Sequence, residues 1–139
     1  MMINKEEINS SLYRVIDANL NRLKEGIRVI EDIFRYIFNN KEIGYKLKEI
    51  RHLIRVKNYT EIIKSRDSMN DCLKENTKSE LKRDDFNNLI IANFKRAQES
   101  ARVLEEVYKL IEPNQSIIFK DVRYKLYDIE KSAIEILNS

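Results

Sequence analysis

Five side chains recur in this sequence in an order that could hold an anion. Asn19, Arg22, Glu25, Arg28 and Glu31 stand at every third position, and Asn93, Arg96, Glu99, Arg102 and Glu105 repeat them 74 residues later. A guanidinium group is a planar fork that can bind two phosphate oxygens at once, and an asparagine amide offers both a donor and an acceptor. Two such sets on neighbouring helices could present two arginines to one phosphate. The other reading is internal, with Arg22 paired to Glu25, Arg96 paired to Glu99 and the asparagines bonded across helices. Packing alone asks for repeated apolar residues. A repeat of Asn, Arg and Glu asks for a further reason.

These residues need a helix to position them. At about 100° per residue, Leu12, Ile16, Leu20, Leu23, Ile27, Ile30, Phe34 and Ile37 line one stripe. Val15, Val29, Ile33 and Tyr36 widen it to an arc of about 180°. Asn19, Arg22 and Gly26 fall inside that arc, so partial burial is expected of them, and of Asn93, Arg96 and Ser100 in the second copy. Glu25 lies at the edge of the arc, and Arg28 and Glu31 are expected to look outward or along the other edge. An unpaired buried polar group costs about 1–3 kcal/mol, so buried Asn/Arg pairs must find partners in the protein or in a ligand.

The chain reads as one helical domain over residues 1–139. The first helix is expected from about Glu7 to Phe38, with Asn4 or Asn9 able to cap it and Asn39-Asn40 closing it. A second begins near Lys41, carries Ile43, Leu47, Ile50, Leu53 and Ile54, and fades after Arg55, with a further turn at Tyr59 to Ile63. Residues 65–84 are rich in turn formers, including Arg66-Asp67-Ser68-Met69-Asn70-Asp71 and Asn76-Thr77-Lys78-Ser79. So long a connection in a helical domain is often functional, although a plain surface loop has the same composition. A third helix spans about Asp84 to Ile111, and a fourth, after Pro113-Asn114, about Gln115 to Leu137, with Ile118, Val122, Leu126, Ile129, Ala133 and Ile136 facing inward. Tyr124-Lys125-Leu126 echoes Tyr45-Lys46-Leu47 at an offset of 79. The fold expected is therefore all-α: two similar helical hairpins, residues 8–57 and 84–137, docked with pseudo-two-fold symmetry.

Composition narrows the function classes. Hydrophobic residues make up 42% and charged residues 35% of the chain, with two Gly and one Pro, which suits long helices and short loops. A net charge of +3 with mixed signs argues against a nucleic-acid partner. The single cysteine, Cys72, excludes an intramolecular disulfide and a cysteine zinc site. With no apolar run near 18 residues and no signal segment, a cytoplasmic, non-membrane protein is expected. Neither G-x-x-x-x-G-K-[ST] nor G-x-G-x-x-G occurs. The one histidine, His52, follows Arg51 inside a helix, where a hydrogen-bonded residue is commoner than a catalyst. Asp67 with Asp71, or Glu31 with Glu105, could hold Mg²⁺ by ligand hardness, or simply be solvated.

Asp17-Ala18-Asn19-x-x-Arg22-x-x-Glu25-Gly26-x-Arg28-Val29-x-Glu31-Asp32, followed by Arg51-His52, Arg66-Asp67 and Ala92-Asn93-x-x-Arg96-x-Gln98-Glu99-x-x-Arg102-x-x-Glu105-Glu106, resembles one family. It is the strictly monofunctional hydroxymethylpyrimidine-phosphate kinase family, a helical domain often fused ahead of thiamine phosphate synthase. The resemblance runs from about Arg14 to Glu130. It implies transfer of the ATP γ-phosphate to 4-amino-5-hydroxymethyl-2-methylpyrimidine phosphate, with Mg²⁺, in thiamine synthesis. Any coupling to thiamine phosphate synthase is expected between separate chains, and a homo-oligomer is a further expected partner state. In that chemistry Asp67, Arg96 and Arg22 take catalytic roles, and Asn19, Arg22, Arg51, His52, Arg66, Asn93 and Arg96 bind substrate or phosphate. Glu25, Glu99, Glu31 and Glu105 support them, and Asp67 and Asp71 hold the metal. The family pattern Asp-Val-Gly-Thr is expected after the Arg-Asp pair, but Asp71-Cys72-Leu73-Lys74 stands there, without the glycine. The alternative is a non-catalytic domain that binds a thiamine precursor or acts as a partner of the synthase. A third reading is a purely structural helical module.

Overall fold

The computed structural model describes residues 5–76 and 81–139. Asn4, expected as a cap, and Thr77, Lys78 and Ser79 of the polar run lie outside the described residues. The elements are α1 (Lys5–Asp32), a π-helical extension (Ile33–Ile37), α2 (Lys41–Leu53), α3 (Tyr59–Lys64), a 3₁₀ turn (Ser68–Asn70), α4 (Phe86–Ile111) and α5 (Pro113–Leu137). Among the described residues there is no strand. Asn9 lies within α1 and does not cap it.

Local chemistry sets the helix ends. Asn39 adopts φ 50°, a left-handed conformation that asparagine tolerates, and so turns the chain at the end of the first helix. The Asn40 side chain then accepts a hydrogen bond from the Ile43 amide at 2.9 Å and caps α2. Asp85 caps α4 in the same way, accepting from the Asn88 amide at 2.8 Å. Pro113 does more than break the chain: it occupies the start of α5, where no intrahelical donor is required.

Burial repeats with the sequence offsets. Ile16, Leu20, Leu23, Ile27, Ile30 and Phe34 are buried, and so are Ile90, Phe94, Ala97, Ala101, Leu104 and Tyr108, their counterparts 74 residues on. At the offset of 79, Ile43, Leu47, Ile50 and Ile54 match the buried Val122, Leu126, Ile129 and Ala133. The strongest packing is of α4 on α5 and of α1 on α4, with α2 closing against α1 and α5. Two hairpins thus cover each other's apolar stripes in a pseudo-two-fold arrangement.

The buried arc is narrower than expected. Val15, Val29, Tyr36 and Ile37 are exposed, as are Val103 and Leu110, the counterparts of Val29 and Tyr36. Leu53, Ile118 and Ile136, expected inside, also face solvent. The reason is that α1 and α4 pack on each other very closely. A Cβ built on Gly26 would come within 3.1 Å of the Asn93 carbonyl oxygen and 3.4 Å of the Ala97 Cβ. The two backbones cover each other there, and the outer third of each arc is left uncovered. Gly44 is different, since a Cβ there would meet Arg35 at an ordinary 3.8 Å. Gly26→Val should therefore destabilise the protein by about 1–3 kcal/mol. Gly44→Ala should stabilise it, by up to about 1 kcal/mol, through helix propensity. Urea melts of the two variants check the opposite signs.

Tyr108 is 2% exposed and stacks on Phe119 with ring centroids 5.5 Å apart, yet its hydroxyl has no hydrogen-bond partner. Burial, then the charges of Glu112 and Tyr13, push its pKa from 10.0 up to about 12. Between these values the unfolded chain loses the phenolic proton while the folded chain keeps it. Stability is therefore full below pH 10 and falls as pH rises toward 12. Tyr108→Phe removes an unsatisfied hydroxyl and should cost less than about 1 kcal/mol near neutrality. Its stability should fall less than that of the parent protein as pH rises from about 10 toward 12, measured by urea midpoints.

Candidate functional site

The sequence-selected residues divide between three places. The first is a cavity of about 420 Å³ between the middle of α1 and the segment after α3. Asn19, Arg22, Arg66, Asp67 and Asp71 all line it. Asp17 organises this cavity. It is 5% exposed and accepts two hydrogen bonds from Arg66, at 2.8 Å from Nε and 2.7 Å from Nη2. The Asp17 carboxylate, with a smaller contribution from Tyr59, holds the Arg66 guanidinium above its ordinary pKa. This bidentate pair ties the loop to α1. It was missed as a site because Asp17 reads as an ordinary polar residue before Asn19; its neighbour Ile16 on the buried stripe was the available signal.

The loop carboxylates are used within the loop itself. Asp67 accepts from the Asn70 backbone amide at 3.3 Å and from its side chain at 2.8 Å, closing the 3₁₀ turn. Asp71 accepts from the Leu73 amide at 3.0 Å. Among the described residues no group of three or more His, Cys, Asp or Glu side chains could hold a metal ion. Loop geometry should therefore depend on Arg66. Arg66→Ala should speed proteolytic cleavage within residues 65–76 while amide-exchange protection in α4 and α5 stays at the parent level. Proteolysis and hydrogen exchange on the two proteins check this.

The second place is the outer side of the α1–α4 contact. Asn19 is buried and Asn93 half-buried, and each amide donates to the carbonyl four residues earlier, Val15 and Leu89, at 2.8 Å. Arg22 and Arg96 are exposed, contrary to the expectation of burial. Position 22 lies about 120° round the helix from the centre of the buried stripe, beside the exposed Val15 and Val29. Neither Arg22–Glu25 nor Arg96–Glu99 forms an ion pair; all four side chains are exposed and unpaired among the described residues. Arg96 is not among the residues lining the cavity that holds Arg22.

The third place lies within each hairpin, where Glu31 and Glu105 are buried at 2% and 3% exposure rather than facing outward. Glu31 accepts from Arg28 and from Arg51, each at 3.1 Å. Glu105 accepts from Arg123 Nε at 3.0 Å and from Arg102 at 3.4 Å. Tyr127, then Glu105, holds Arg123 above its ordinary pKa. Arg123 had no motif to announce it. Arg51 and His52 line a groove between α1 and the end of α2, away from the loop cavity.

A family model matches this chain over residues 14–132. The chain belongs to the ThiD2 family. Curated proteins similar to this ThiD2-family chain carry the name thiamine-phosphate synthase. That of Nostoc punctiforme is 36% identical over 129 residues, 92% of this chain and 37% of the relative. Those of a Synechocystis species and of Prochlorococcus marinus are 33% and 36% identical over 90% and 91% of this chain, and over 37% and 36% of their own lengths. The ThiD2-family chain thus spans a little over a third of the length of these relatives. No solved structure matches it.

These findings correct the enzymatic reading. A kinase transferring phosphate from ATP to a phosphorylated pyrimidine, with Mg²⁺, is not supported. The ThiD2-family fold has no strand among the described residues, so it lacks the mixed α/β core typical of kinases for such pyrimidines. No metal-binding cluster is present among those residues, and Asp67 and Asp71 shape turns. The similar curated proteins are named as synthases and not as kinases. The catalytic roles given to Asp67, Arg22 and Arg96 lapse with the reaction. Of the expected partners, ATP and the pyrimidine phosphate fall with the kinase reading. No helix among the described residues is long and apolar enough to cross a membrane.

Proposed function

We propose that this chain is a non-catalytic domain that acts with a thiamine-phosphate synthase by docking on it. One observation carries the reading. The repeated Arg22, Glu25, Arg96 and Glu99 are neither core residues nor paired with one another; they stand exposed beside Val15, Val29 and Val103. Charged side chains left unpaired around exposed valines, twice over, form a mixed polar and apolar surface of the kind that a protein partner covers. The similar curated proteins carry the synthase name and have about two-thirds of their length outside the matched segment. The synthase portion of such a chain is the natural occupant of this surface.

Calorimetry and gel filtration of this chain with the thiamine-phosphate synthase of the same organism test the reading. A defined complex is expected, and Arg22→Glu with Arg96→Glu should weaken it by tenfold or more, about 1.4 kcal/mol, without changing the helical circular-dichroism signal. ATP-dependent phosphorylation of a pyrimidine phosphate by the purified chain would overturn the proposal, as would the absence of any complex.

A further inference from the structure

The packing of the two hairpins leaves a groove of about 610 Å³ open between α2 and α5. Glu49, Ile50 and Leu53 line one side of it, and Asp128, Ile129 and Ser132, their counterparts 79 residues on, line the other. The groove therefore lies across the pseudo-two-fold relation of the hairpins. Ile50 and Ile129 are buried and form its floor. Leu53 and Ile136, both expected inside, are 44% and 40% exposed. Leu53 lines the groove, and Ile136 stands seven residues beyond Ile129 on the same face of α5. They stay uncovered because α2 ends at Leu53 and α3 then packs on α1, not on α5.

Charge around this floor is uneven. Lys46 turns to Glu42 at 3.2 Å and Lys125 to Asp121 at 3.0 Å, each one turn back along its own helix. Glu49 is left with the Tyr45 hydroxyl, which this hydrogen bond, and then the Glu49 charge, holds above its ordinary pKa. Asp128 has no hydrogen-bond or ion-pair partner among the described residues. An apolar floor is thus flanked on each helix by a carboxylate without a cation. A small-molecule pocket needs convergent polar groups over an enclosed apolar bed. Here the carboxylates are exposed, and the apolar strip runs on along α5 to Ile136. That is the form of a seat for a third helix, whose apolar stripe at i, i+3, i+4 and i+7 fills the groove.

We propose that the groove between α2 and α5 seats a cationic amphipathic helix of a partner protein. Its apolar stripe rests on Ile50, Leu53, Ile129 and Ile136, and its Lys or Arg residues flank the stripe and meet Glu49 and Asp128. Charge complementarity selects this occupant. The surface proposed for the synthase is built on α1 and α4, so the groove is separate from it and does not depend on it.

The test uses a synthetic helical peptide of roughly 18 residues, about five turns, with leucine at i, i+3, i+4 and i+7 and lysine on both flanks. Titration of the full chain, followed by the methyl signals of its isoleucine and leucine residues in nuclear magnetic resonance, should give saturable shifts centred on Ile50, Leu53, Ile129 and Ile136. A peptide with glutamate in place of lysine should bind at least tenfold more weakly. Glu49→Lys with Asp128→Lys should weaken the lysine peptide tenfold or more, whereas Glu61→Lys with Glu75→Lys, the same charge change elsewhere, should alter it less than threefold. Leu53→Ser, which gives α2 the residue that α5 carries, should weaken it several-fold. All these side chains are exposed, and circular dichroism confirms that the variants fold. No saturable binding, equal affinity for the two peptides, or shifts confined to other faces would overturn the proposal. So would a dimer of this chain, seen by sedimentation equilibrium and lost in Leu53→Ser, because a second copy would then occupy the groove. The synthase assay uses other residues, so failure here leaves that complex identifiable.

Discussion

Two buried carboxylates impose the constraint on which the rest of the structure depends. Glu31 and Glu105 lie on the inner side of α1 and α4 with almost no solvent contact. A carboxylate in such a place must be paired, because its desolvation costs several kcal/mol and exceeds what one imperfect contact returns. Each is met by an arginine one turn earlier on its own helix and by another from the second helix of its hairpin. The second bond sets how far each hairpin can slide. A guanidinium displaced by a turn would leave a buried charge unpaired.

The same constraint explains where the symmetry holds and where it fails. The apolar stripes of the four long helices obey the offsets of 74 and 79, with Phe119, matched by Asn40, an exception. The cross-hairpin arginines do not: Arg51 and Arg123 stand 72 residues apart and occupy different turns of α2 and α5. The turn between α1 and α2 includes a π-helical extension and Asn39, while α4 passes into α5 through Glu112 alone. The route between matched core positions is five residues longer in the second hairpin, Tyr108 to Val122 against Phe34 to Ile43, and this changes which residue of the second helix reaches the carboxylate. Arg51 thus reaches Glu31, while Glu130, its counterpart, pairs with Lys95. The contrast is a consequence of how two unequal turns solve one pairing problem.

The repeated Asn, Arg and Glu residues take on different duties. Asn19 and Asn93 satisfy their own helices, and Glu31 and Glu105 tie the hairpins together. Arg22 and Arg96 remain unpaired and exposed. A motif read as one anion cradle is therefore three things: back-bonded amides at a close helix contact, a buried ionic clamp, and a surface left open. Only the last has a character that the folded chain by itself does not explain, and it is this surface that the proposed docking uses.

The caps at Asn40 and Asp85 came from the structure, while the sequence by itself determined the all-α class, the four long helices and the two-hairpin repeat. These follow from periodicity, turn chemistry and repeat offsets, all of which act between residues close in the chain or in matching positions. The burial of Asn19, Gly26, Ser100 and most of the apolar stripe was legible for the same reason. Tertiary structure alone decided the width of the buried arc, because this depends on how closely α4 approaches Gly26. It turned Arg22 and Arg96 outward and Glu31 and Glu105 inward. It also joined Asp17 to Arg66 across 49 residues and Glu105 to Arg123 across 18. An ion pair between distant segments has no period and no local propensity. It exists only when packing brings two charges together out of water, where neither can be left alone.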